Sequence, residues 1–151
     1  MGMKKLAPAL AIAAVVLAVT PAQAQDQQGR VMPLEQLKNV LNMTADNWVA
    51  FRNFNGKTLI YYSHLVSWRC GLKEVRYGVN SREPDQSWPL PECNKMMPNT
   101  VPPDAQIYST HKLNSVTTLS VQVVYDDDTA SPVYFYEPCE GAGDATCAYR
   151  N

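Results

Sequence analysis

Between Leu119 and Tyr125 the chain alternates. Leu119, Val121, Val123 and Tyr125 are apolar, and Ser120 and Gln122 between them are polar. A period of two marks a β-strand with one face in a core and one in water, because successive side chains point to opposite sides. Asp126-Asp127-Asp128-Thr129 breaks the alternation, and Val133-Tyr134-Phe135-Tyr136 resumes it. Two such runs around a polar break predict a hairpin. A second hairpin is expected from Trp48 to Trp68, turning at Asn55-Gly56. That pair suits a type I′ turn, whose two central residues both need positive φ. With this turn Phe51 lies opposite Ile60 and Val49 opposite Tyr62, on a core face that continues through His64, Val66 and Trp68. Ala50, Arg52, Leu59 and Tyr61 take the outer face. Leu72 to Asn80 predicts a further strand, with Val75, Tyr77 and Val79 inward and Glu74 and Arg76 outward, and Gln106 to Thr110 a short one.

Two stretches follow other rules. From Pro33 to Met43 the apolar residues Leu34, Leu37, Val40 and Leu41 recur at helical spacing, and Pro33 suits a first helical position, so a short helix is expected there. Ser81 to Ala105 holds Pro84, Pro89, Pro91, Pro98, Pro102 and Pro103. Proline lacks the ladder donor and fixes φ, so this stretch reads as a long irregular loop rather than a strand. Loops of that length in a compact domain are often functional.

The first residues change the picture of where the protein works. Lys4 and Lys5 precede an uncharged run from Leu6 to Val19, and Ala22-Gln23-Ala24 is a small-x-small cleavage pattern. Residues 1–24 therefore read as a signal peptide, with no transmembrane segment left after cleavage and a periplasmic or secreted destination. The expected organisation is then a lead-in and helix over 25–47, a β-sandwich over 48–137 and a tail over 138–151. All four cysteines, Cys70, Cys93, Cys139 and Cys147, lie in the exported part. An even count in an exported chain predicts two disulfides, and Cys70–Cys93 with Cys139–Cys147 is the favoured pairing because neither loop crosses the hairpin between them. No Cys-x-x-Cys pair supports a zinc site.

Removing the leader takes away two of 13 basic residues and none of 14 acidic ones, so the mature chain is mildly acidic. That balance argues against nucleic acid, whose binding needs a basic field. Only His64 and His111 could serve as imidazole bases, and no Gly-x-Ser-x-Gly, phosphate loop or His-Glu-x-x-His motif occurs. His64 is expected as a core or rim histidine with a hydrogen-bond partner. Asp126-Asp127-Asp128 could offer oxygens to Ca²⁺, but three adjacent carboxylates at a turn tip point different ways, and a solvated turn is the expectation. No catalytic residue, metal or cofactor is assigned.

The run from Leu59 to Tyr136 resembles the fibronectin type III and immunoglobulin-like sandwiches. Trp68, Val75-x-Tyr77-x-Val79 and the Leu119–Tyr136 hairpin carry the likeness. The resemblance implies an all-β antiparallel sandwich in which the tryptophan and the tyrosine pack on each other. It implies no function, since such folds host many.

The remaining signal is aromatic. Three Trp, eight Tyr and three Phe exceed what one inner sheet face holds. Trp48, Trp88, Tyr61, Tyr134 and Tyr136 are the candidate binding residues, either as rings that stack on sugars or anchor a protein, or as packing under the helix or the proline loop. Trp88, within Ser87-Trp88-Pro89, is either an exposed platform or the plug that fastens the proline loop. The expected function is an exported, non-catalytic binding module of the cell envelope with a protein or glycan partner. The alternatives are a carbohydrate-binding module and, third, a small secreted hydrolase.

Overall fold

The computed structural model describes Gly2, residues 31–140 and residues 146–151. The leader and the polar lead-in up to residue 30 otherwise lie outside the described residues. Helix α1 (Leu34–Met43) is followed by a 3-10 turn (Ala45–Asn47). Strands β1 (Ala50–Phe54) and β2 (Lys57–Tyr61) then form the expected hairpin. Asn55 and Gly56 have φ of 51° and 70°, and Phe51 pairs with Ile60, so turn and register are those the sequence dictates. Helix α2 (Ser63–Ser67) comes next, then β3 (Leu72–Val79), β4 (Gln86–Trp88), β5 (Tyr108–Lys112), β6 (Leu119–Tyr125), β7 (Tyr134–Glu137) and β8 (Tyr149–Arg150).

The strands form two antiparallel sheets in a sandwich-like arrangement. The smaller runs β1-β2-β5 and the larger β4-β3-β6-β7-β8. One continuous core joins them. Phe51 and Ile60 come from the small sheet, Val75, Leu119, Val121, Val123 and Tyr136 from the large one, and Leu37 and Leu41 from α1. The disulfides are Cys70–Cys93 and Cys139–Cys147, as the spacing suggests. Disulfides of this kind suit an oxidising, exported setting. Among the described residues no helix is long and apolar enough to cross a membrane.

Three expectations need correction. The expected strand through His64, Val66 and Trp68 is instead interrupted by α2, which buries Leu65 and Val66 completely. The proline loop contains a strand, β4, which pairs with β3 at Val75↔Trp88. The partner stacked on Tyr77 is Trp88 and not Trp68, which is only half-buried after α2. The tail, closed by Cys139–Cys147, also pairs with both sheets. Cys147 exchanges two backbone hydrogen bonds of 3.0 Å with Phe51 of β1, while β8 pairs with β7. Residues 146–151 thereby join an edge of each sheet.

Two features fasten the loops. Arg69 is almost wholly buried and has no carboxylate partner among the described residues. Its Nε donates to the Glu92 carbonyl at 2.9 Å, and its Nη1 donates to those of Val66 and Pro98. It pins the proline loop beside Cys70–Cys93. Gly78 is buried because the loop after β3 folds back on the large sheet, and a Cβ there would collide with the Glu83 carbonyl and the Ser120 hydroxyl.

Candidate functional site

The five candidate aromatics separate by burial. Trp48 has no exposed surface, its indole N–H donates to the Leu41 carbonyl at 3.0 Å, and Tyr134 meets it edge-on at 5.0 Å. Trp88 is 4% exposed and lies flat between Tyr62 at 4.5 Å and Tyr77 at 4.2 Å. Burial in this stack pushes the Tyr62 phenol up to about 12. Tyr136 is fully buried, and its hydroxyl donates to the Ala45 carbonyl at 2.7 Å. As folded, these three rings bind the protein to itself. Of the two roles open to each, Trp48 and Tyr136 take that of packing and Trp88 that of the plug of the proline loop.

Tyr134 and Tyr61 keep accessible surface, on different parts of the molecule. Tyr134 donates to Asn42 Oδ1 at 2.7 Å and lines a cleft of about 240 Å³ between α1 and the β6–β7 hairpin. Lys38, Asn39, Tyr125 and Ser131 complete its polar and aromatic wall. Lys38 Nζ sits 2.6 Å from Asp127 and 2.9 Å from Glu35, and 5.4 Å from the centre of the Tyr125 ring. Asp127 is held down to about 2 by the hydrogen bond from Lys38 and then that from Thr129. Asp128 pairs with Lys73, so two of the three turn carboxylates are engaged by lysines.

Tyr61 lies on the outer face of the small sheet. Strand alternation and the observed register place Arg52, Phe54, Lys57, Tyr61, Tyr108 and Lys112 together there, around Leu59 and Thr110. Tyr61 and Tyr108 are cross-strand partners with ring centres 5.3 Å apart. Tyr108 is 43% exposed and Phe54 49%, and the Arg52 guanidinium stands 4.5 Å over the Phe54 ring. Three cations and three rings share this face, and none of its strand positions carries a carboxylate. Tyr61 was legible from the hairpin register. Arg52 was legible with it, whereas Tyr108, Phe54, Lys57 and Lys112 were missed, although the same alternation carried along both strands and one strand further would have grouped them.

The polar groups suited to catalysis are engaged locally. His64 Nε2 is 3.0 Å from Thr44 Oγ1, the partner expected for a rim histidine. Ser109 Oγ lies 3.0 Å from His111 Nε2 on β5, a nucleophile–base distance. No carboxylate hydrogen-bonds His111 to orient it among the described residues. Glu74 is taken by Arg76 and Ser87. Among the described residues no three His, Cys, Asp or Glu side chains gather as a metal site would require. The chain matches no protein-family model, no curated protein and no solved structure.

Proposed function

We propose that the protein is an exported, non-catalytic binding module of the cell envelope that holds an acidic protein partner on the outer face of its small sheet. The reading rests on one observation: an acidic chain gathers Arg52, Lys57 and Lys112 with Phe54, Tyr61 and Tyr108 on a face without carboxylates. Aromatic side chains and arginine are the groups enriched at interface hot spots, and a one-signed rim steers a partner of opposite charge. The two disulfides and the residues 1–24 pattern support the exported setting. Two antiparallel sheets around one core, with Tyr77 packed against it, support a fold of the immunoglobulin or fibronectin type III kind.

The test is cross-linking in intact cells with the wild type beside Tyr61→Ala and Lys112→Glu. One defined envelope protein captured by the wild type and lost from both variants is the expected result. Equal capture by all three would remove the small-sheet face from the reading. A glycan ligand is the second reading, favoured by the α1 cleft, where a half-exposed tyrosine hydrogen-bonds Asn42 and Asn39 also lines the wall. Retention on a polysaccharide that Tyr134→Ala abolishes, with Tyr61→Ala still retained, would turn the assignment to that cleft.

A further inference from the structure

The outer edge of β5 is built to pair with itself. The Tyr62 N–H donates to the Ile107 carbonyl at 2.8 Å. Backbone groups alternate along an antiparallel strand, so residues 107, 109 and 111 face β2 and residues 108, 110 and 112 present N–H and C=O outward. An unpaired edge is a template for another strand, and proteins usually blunt it with proline, a bulge or a cover. From Tyr108 to Lys112 there is no proline, and the register against β2 is unbroken over all five pairs. The opposite edge of the same sheet is covered by Cys147. Among the described residues nothing pairs with the outer edge of β5. The backbone beside it, from Ala105 to Thr110, borders an open hollow of about 430 Å³.

We infer that the protein forms a two-fold homodimer in which β5 pairs antiparallel with β5 of a second copy, centred on Thr110. Thr110 then exchanges two backbone hydrogen bonds with its symmetry mate. Ser109 lies opposite His111 of the second copy, and Tyr108 opposite Lys112 of the second copy. Neither basic residue of the strand meets a like charge. Each Lys112 ammonium reaches the face of a Tyr108 ring, a cation–π contact made twice by symmetry. Two outward carbonyls already have a partner: that of Lys112 accepts from the Ser115 N–H and hydroxyl, and that of Tyr108 accepts from the Gln106 side-chain amide at 3.4 Å, so the ladder is strongest at its centre. The product is a six-stranded sheet across two molecules that carries both Tyr61–Tyr108 pairs on one surface.

Sedimentation equilibrium of the purified protein over a wide concentration range tests this. A concentration-dependent dimer is expected. Thr110→Pro removes the outward donor while sparing the bonds to β2, and is expected to give a monomer. Tyr108→Lys sets lysine against lysine twice and is expected to weaken the dimer roughly tenfold or more. Adding Lys112→Glu to Tyr108→Lys is expected to restore it, which a merely misfolded variant would not do. A monomer at every concentration overturns the proposal, and so does a dimer that Thr110→Pro and the single Tyr108→Lys change leave unaltered.

Discussion

Trp88 shows how one side chain sets the form of a long loop. Its ring fills the space between Tyr62 and Tyr77, so the loop that carries it closes over the core. Trp88→Ala is expected to lower the unfolding free energy by about 3–5 kcal/mol, read by urea denaturation, because the two flanking rings cannot collapse onto each other. His64 acts through its charge. Burial lowers its pKa below the ordinary imidazole value, and His111 is lowered in the same way. An unfolded chain binds these protons more readily than the folded one, so stability is complete above the unfolded value of about 6.5 and declines as pH falls below it. His64 should titrate with a midpoint below 6.5 in a nuclear magnetic resonance titration. In His64→Gln, whose amide can still reach Thr44, the acid loss of stability should shrink. Residue identity alone could not separate buried rings from accessible ones. Trp48 and Trp88 are interior because of what folds over them from far along the chain, and no local pattern encodes that.

At the scale of elements, legibility follows the range of the signal. The Asn55-Gly56 turn and the β1–β2 register were readable because a type I′ turn is fixed by two residues and the pleat does the rest. The end of β2 was not. Ser63 to Ser67 is too short for period two and period 3.6 to be told apart, and α2 is held by tertiary burial of Leu65 and Val66. Strand β4 was hidden by prolines at 84 and 89 that flank it without entering it. Gly78 tests how the loop after β3 sits on the large sheet. Gly78→Ala should cost about 1–3 kcal/mol, since the added methyl meets the Glu83 carbonyl and the loop must lift. Unfolding curves would show this, with easier proteolysis around Glu83.

At the scale of the molecule, one core is shared by two sheets and a helix, and covalent bonds hold the parts the core does not reach. Cys70–Cys93 spans 23 residues and works beside the buried Arg69. Replacing both cysteines by alanine should cost about 3 kcal/mol, read by thermal or urea unfolding. Cleavage by a protease is then expected within residues 81–105 before anywhere else. The two-sheet class and the disulfide pairing were legible from alternation and cysteine spacing. The joining of the sheets by residues 146–151 was not, because Cys147 and Tyr149 lie in a short run with no period of its own.

That join also sets the order in which the chain can become native. Phe51 emerges early in synthesis, and the Cys147 that covers its edge is made almost a hundred residues later. Until then β1 offers an open edge, and the small sheet has no tie to the large one through that segment. Contacts so distant in sequence make folding slow, because the intervening loop must close before the contact repays it. In the exported setting proposed above, such a delay suits passage of a loose chain, with the fold locked last by its C-terminal segment.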